Sequence, residues 1–416
     1  KSHGGSDISR RKSCQFRTAE SLVFSPRFPA FCLSFKMADN EEERKLIKQL
    51  FYRGHSNEEI VGMLSKCHGI DISLSTLKRR LKDLGMSRRY LEYDPNNVRT
   101  AILELLDGPN STVGYRSVWH NLRMKGIVVP RVVVQKMLKE IDPDGVESRK
   151  AHRLKRREYH CLGPNSAWHA DGYDKLKPYG FPIHGCIDGF SRKVIWLYIT
   201  RSNNYPDNIA AYYLDAVKQL GGCPRELDTD LGTENGTLAG IHSFFMNDPD
   251  SHRYVSSPRN QRIESWWSFL RKNWSTWWIN LFKDMIEKGV LNTADQLHLE
   301  CLWYCFSELL QMDLERVRNS WNTHYIRKSR HDTIAGRPDA LFHLPERYGG
   351  TDNQIVPLSP HDISYAYSHL VQKDEDNDYQ EYFQYVIQSL NKKKPEHWRE
   401  ALQMYRELLD IAVNGR

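Results

Sequence analysis

Apolar residues recur at helical spacing once the chain passes residue 40. Leu46, Ile47, Leu50 and Phe51 share one face and predict a helix that Gly54 stops. Ser56 with Glu59 three residues later carries the capping-box signature and opens a second helix through Ile60, Val61 and Leu64. Leu74, Leu77, Leu81 and Leu84 form the stripe of a third, ended by Gly85. Residues 95–107 predict another helix, and GYRSVWHNLRMKG and VVPRVVVQKMLKEI two more, with Gly126 as the break. Two successive helical modules follow from this pattern, over residues 41–90 and 91–148.

The texture changes at Asn165. SAWHADGYDKL and FPIHGCIDGFSRKVIWLYIT alternate or run apolar in short β-rich pieces, and GFSR between Asp188 and Lys193 reads as a hairpin turn. Residues 206–220 predict an amphipathic helix, with Pro206 near its start and Gly221 past its end. RELDTD predicts a short strand, followed by a glycine-containing turn, a helix near 234–246, the strand-like HRYVSS and a helix from about Asn260. That order is an α/β layout with a mixed sheet over residues 165–280. Beyond 280 the pattern is helical: an extension over 281–345, then a C-terminal helical region over 346–416. There DYQEYFQYVIQSL and PEHWREALQMYRELLDIAV are amphipathic helices suited to packing or pairing.

A chain of 416 residues implies two or three domains, and 40% apolar content lets each be globular. Lys plus Arg number 59 and Asp plus Glu 52, a surplus of 7 that matters only through its clustering. Lys78, Arg79, Arg80 and Lys82 fall within five positions of the third helix, which makes residues 41–90 a helix-turn-helix whose last helix would enter a DNA major groove. A merely solvated face is the bland alternative. The run RKAHRLKRR over 149–157 places six basic residues, Arg149, Lys150, Arg153, Lys155, Arg156 and Arg157, in a linker spanning 149–164. It suits phosphate contact or nuclear targeting, a plain solvated linker being the alternative.

Eight cysteines show no CxxC pair, the pattern of reduced thiols inside a cell. His298, Cys301 and Cys305 fit a buried helix better than a zinc site. SLVFSPRFPAFCLSF, broken by Arg27 and two prolines, is neither a membrane helix nor a good signal peptide. Met37 followed by ADNEEER reads as a natural start, which leaves the residues before it as an upstream extension or, over 1–40, a disordered tail.

Three acids stand out against this layout: Asp171 in the first strand, Asp230 at the end of a later one, and Glu264 in the first turns of the helix after SPRNQ. An acid within a half-buried strand is costly unless paired or metal-bound, so the arrangement asks for a cation. Asp228, two residues earlier, is a rival for the second position, although the DLGTE context favours Asp230. Arg271, two helical turns after Glu264 and on its face, is placed to hold a substrate backbone. Trp266, Trp267, Trp274, Trp277 and Trp278 are too many for one purpose and read mostly as core or interface.

These stretches resemble the catalytic core of retroviral integrases and DDE transposases. In that family an aspartate of the first strand, an aspartate in a D-x-G-x-E-like turn and a later glutamate bind two divalent metals, and Asp171, Asp230 and Glu264 match those positions. CIDGFSRKVIWL resembles the family's second and third strands, and NTHYIRKSRHDTIAGRPDALF the segment closing such cores in eukaryotic mobile elements. GYRSVWHNLRMKGIVVPRVVVQKMLKEI resembles the DNA-binding segment of some insertion-sequence transposases. The resemblance covers roughly residues 45–345 and implies an RNase H-like mixed five-stranded sheet, two Mg2+ or Mn2+ ions, DNA as partner, a homo-oligomer, a nuclear location and an integrase or transposase activity. Helix-turn-helix modules stand where retroviral integrases carry a zinc domain, and no SH3-like carboxy-terminal domain is evident. A domesticated DNA-binding protein without catalysis is the alternative, and a nuclease of RNA–DNA hybrids a third.

Overall fold

A computed structural model describes residues 38–88, 93–109, 113–143, 146, 161–255, 260–328, 334–371 and 377–415. The basic run 149–157 therefore lies outside the described residues. The chain divides into two units, Lys1–Glu42 and Glu43–Arg416, the first helical from Ala38 where described. The second holds the sheet and the helices that cover it.

Helices α1 (Ala38–Tyr52), α2 (Asn57–His68) and α3 (Leu74–Asp83) stand where the leucine stripes place them. Ile47, Leu50, Phe51, Ile60, Leu64, Leu77 and Leu81 form their shared core. The capping box is present: Ser56 Oγ accepts from the Glu59 N–H at 3.1 Å, and the Glu59 carboxylate accepts from the Ser56 N–H at 2.6 Å. Helices α4 (Pro95–Leu106), α5 (Tyr115–Met124) and α6 (Arg131–Ile141) enclose a second core around Ile102, Val118, Leu122 and Val134.

A five-stranded sheet comes next, in the order β3-β2-β1-β5-β6. Strands β1 (Ala167–Tyr173), β2 (Ile183–Asp188) and β3 (Val194–Ile199) form an antiparallel meander. β5 (Glu226–Thr229) and β6 (His252–Tyr254) add in parallel on the other side of β1, completing a mixed five-stranded sheet. Asp188 builds the β2–β3 turn, accepting from the Ser191 N–H and hydroxyl at 2.7 and 2.6 Å, while Arg192 takes the left-handed φ of 62°. A two-residue pair, β4 (Gly222–Cys223) with β7 (Val356–Pro357), was not visible in the pattern.

Both faces of the sheet are covered, and the period of two sorts β1 between them. Trp168 and Ala170 face a core with Cys186, Trp196 and the apolar side of α7 (Pro206–Leu220), with α8 (Gly236–Met246) behind. Tyr173 joins the opposite core, built from α9 (Gln261–Leu270), a π-helical turn (Arg271–Ser275), α10 (Thr276–Glu287) and the 28-residue α11 (Gln296–Thr323). Trp266, Trp267, Trp274 and Trp278 are all buried there.

α11 also finishes the outer edge of β3. Asn322 receives from the Val194 N–H and donates to its carbonyl, Arg318 donates to the Ile195 carbonyl, and Gln311 bridges the Leu197 carbonyl and the Ile199 N–H, all at 2.8–3.1 Å. Two side-chain amides and a guanidinium thus supply hydrogen bonds that a further strand would otherwise make. Cys301 and Cys305 are buried on α11, and the His298 ring meets the Tyr405 hydroxyl at 2.7 Å. The remaining helices are α12 (Pro338–His343), α13 (Pro360–Ser368), α14 (Asp378–Ser389) and α15 (Trp398–Asn414). The last two pack on α11 through Phe383, Ile387, Ala401, Tyr405 and Leu408.

The first module is not free of the rest. Leu344 enters its core, the Tyr348 hydroxyl donates to Glu59, and Arg337 lies 3.7 Å from the same carboxylate. The division expected at residue 345 therefore cuts through a short helix, Pro345–Tyr348, that belongs with the amino-terminal helices.

Candidate active site

β1 presents His169, Asp171 and Tyr173 on one face, and each is tied to the chain beyond β6. The His169 ring meets Asn260 Oδ1 at 2.9 Å, the Trp267 indole N–H donates to Asp171 Oδ2 at 2.9 Å, and the Tyr173 hydroxyl meets Ser275 Oγ at 2.6 Å. Asn260 also donates to the Ala170 carbonyl at 3.3 Å. The start of α9 is therefore pinned beside Asp171, and its first turn delivers Glu264.

Trp267 reaches Asp171 because Gly185, opposite Asp171 in β2, has no side chain. A Cβ there would lie 2.8 Å from the Trp267 ring and 3.0 Å from Leu197.

Burial pushes the Asp171 carboxyl up to about 7; the charges of Asp230 and Glu264 push the same way, while the Trp267 hydrogen bond opposes them. Residues from a central strand, a strand end and a helix thus converge within electrostatic reach. Among the described residues, no group of three or more His, Cys, Asp or Glu side chains has metal-holding spacing. The donor set nonetheless fits a hard divalent cation, since carboxylate oxygens are its preferred ligands and a cation would offset the mutual repulsion that Asp171 registers.

Asp230 is half-buried just beyond β5, and its Oδ1 accepts from Asn235 Nδ2 at 2.8 Å. The rival Asp228 is committed elsewhere. Arg253 of β6 grips both its oxygens, at 2.8 and 3.2 Å, and His169 lies 3.4 Å away, its imidazole held neutral down to about 4 by burial. Asp228 is thus paired with Arg253 across β5 and β6 and lies against the neutral His169 ring of β1.

Arg271 is exposed, and its positive charge reaches the Tyr173 hydroxyl, which burial drives above its ordinary range. On α3, Lys78, Arg79 and Lys82 are exposed, whereas Arg80 is half-buried and paired with Glu43 at 3.1 Å. Arg149, Lys150, Arg153, Lys155, Arg156 and Arg157 lie outside the described residues.

Sequence reasoning missed the residues that aim the acids: Trp267, Asn260, Asn235 and Gly185. One signal was available, the i, i+3 spacing of Glu264 and Trp267, which puts an indole donor beside the acid. Asn235 and Gly185 act through partners that no local pattern names.

Residues 158–343 match a family model described as Integrase core domain. No curated protein matches the chain. Among solved structures it is similar to a chain of the simian T-cell lymphotropic virus intasome in complex with PP2A regulatory subunit B56 gamma, at 15% identity and a TM-score of 0.28, over 63% of this chain and 78% of that one.

Proposed function

From an integrase core domain spanning residues 158–343, we propose that the protein is a metal-dependent DNA recombinase, an integrase or transposase that cuts DNA ends and joins them to target DNA. The observation that carries this reading is the carboxyl of Asp171, raised by burial and, in the same direction, by the charges of Asp230 and Glu264, and held by the Trp267 indole. Asp171, Asp230 and Glu264 would hold Mg2+ or Mn2+. Bound there, such ions would supply activation of the attacking oxygen of a phosphodiester displacement and stabilisation of the departing one.

The chain's own groups do the positioning. Trp267 fixes one Asp171 oxygen, Asn235 turns Asp230, and Asn260 sets the start of the helix bearing Glu264. Exposed Arg271 offers a guanidinium to the DNA backbone beside the acids, and Lys78, Arg79 and Lys82 offer phosphate contacts from the helix-turn-helix. Bringing two ends to one target calls for at least a dimer, and the basic run 149–157 suits import into the nucleus.

The test is strand transfer in Mn2+ on oligonucleotides carrying the element's ends. Asp171→Asn, Asp230→Asn and Glu264→Gln each reduce it to background while DNA binding persists; unchanged activity in any of them removes that residue from the site. A second reading, a DNA-binding protein without catalysis, draws on the hold that Trp267 has on an Asp171 oxygen. It expects sequence-specific binding with no cleavage in any divalent metal.

A further inference from the structure

Among the described residues, the most exposed large apolar side chain is Leu231, at 82%. A single exposed leucine needs no explanation in general. This one follows Asp230 directly, in a loop that is held. Asn235 Nδ2 donates to the Asp230 carboxylate at 2.8 Å and to its carbonyl at 3.4 Å, and the Thr229 hydroxyl donates to the same carbonyl at 3.1 Å. The Asn235 N–H returns to the Gly232 carbonyl at 3.2 Å. One strand over, at the same end of the sheet, Tyr254 pairs in register with Thr229 and is 48% exposed.

A loop fixed by these bonds keeps an apolar side chain in water directly beside Asp230. Leucine cannot recognise the phosphates of a polyanion, but it can enter a base stack. We propose that Leu231 is a wedge that inserts between two stacked bases next to the phosphate being attacked, so that the strand bends into the carboxylate site. The ligand is a base step of duplex DNA, on the end being processed or on the target. This deepens the recombinase reading and rests on it. Leu231 is a positioning residue, since it would touch bases and not the reacting atoms.

The experiment compares the full chain with Leu231→Ser in Mn2+ on oligonucleotide duplexes. One arm places a mismatched pair beside the cleaved phosphate of the donor end, a second places it at the target site, and a third is fully paired. Unstacking a step costs a few kcal/mol, so Leu231→Ser is expected to lose roughly tenfold or more on paired DNA. It is expected to come within about twofold of the unsubstituted chain on the mismatched substrate. The arm that rescues identifies which DNA the leucine enters.

A 2-aminopurine at the step is expected to brighten on binding the unsubstituted chain and to stay quenched with Leu231→Ser. Equal activity of the two proteins on paired DNA, or an equal loss on paired and mismatched DNA, overturns the wedge. A chain that neither cuts nor joins in Mn2+ yet brightens the probe only when Leu231 is present removes the recombinase reading and keeps the wedge. Because the side chain is so exposed, Leu231→Ser is expected to leave the urea midpoint unchanged.

Discussion

A half-buried carboxyl raised to about 7 makes Asp171 a source of instability that tracks pH. Below its unfolded value, near 4, the acid is protonated in both states and contributes nothing; between about 4 and 7 the folded state binds more protons, so stability falls as pH rises. The chelated protein should therefore gain from Asp171→Asn at pH 8, by roughly 2–4 kcal/mol, with the gain shrinking to almost nothing at pH 4. Urea unfolding across that range measures it, and a pH-independent difference would count against the electrostatic origin. Its neighbour supplies a second expectation. Gly185→Val drives a methyl-bearing side chain into Trp267 and Leu197, which should destabilise the fold by about 1–3 kcal/mol and also pull the indole off Asp171. Trp267→Phe should cut strand transfer with a much smaller loss of stability. Equal activity of Trp267→Phe and the unsubstituted chain would make the indole a packing residue only.

At the scale of elements, the pattern of the chain was legible where local chemistry decides. The leucine stripes, the Ser56–Glu59 box, the alternation through Ala167–Tyr173 and the Pro206 to Gly221 helix all stand within a residue or two of their predicted bounds. The charges of Asp230 and Glu264 reach Asp171 across the strand end and helix that carry them. What stayed hidden depends on partners far along the chain. Nothing in NSWNT announces that Asn322 completes the backbone of Val194, 128 residues earlier, or that Gln311 does the same for Leu197 and Ile199. Asn322→Ala should leave a buried N–H and carbonyl without partners, destabilising by about 1–3 kcal/mol. Hydrogen exchange at the Val194 amide should quicken more than at the β1 amides; uniform protection along β3 would refute the edge role.

For the molecule as a whole, Glu59 is where the amino-terminal module meets the rest. Burial alone would raise its carboxyl, but the His55 ring 3.6 Å away, hydrogen bonds from the Tyr348 hydroxyl and the Ser56 N–H, and the charge of Arg337 hold it down at about 2. A depressed value stabilises the fold fully above the unfolded value near 4.5 and loses that contribution as pH falls toward 2. Around it the buried Arg123 is itself lowered to about 10 by burial and by the charges of Arg88 and Arg337, so the one acid faces several guanidinium groups. Glu59→Gln should loosen the docking of α2 on the Pro338–Tyr348 segment, seen as faster proteolysis between residues 53 and 57 and a lower urea midpoint at pH 7. Unaltered cleavage there would mean that the other contacts, Leu344 and the Lys66–Glu346 pair among them, hold the module without Glu59. The side-chain-sealed margin of β3 carries a last consequence for how copies of this chain could assemble. With backbone groups of Val194, Ile195, Leu197 and Ile199 already bonded to α11, that border offers a visiting strand little free ladder, so copies of this chain meeting on that flank would meet through helix surfaces.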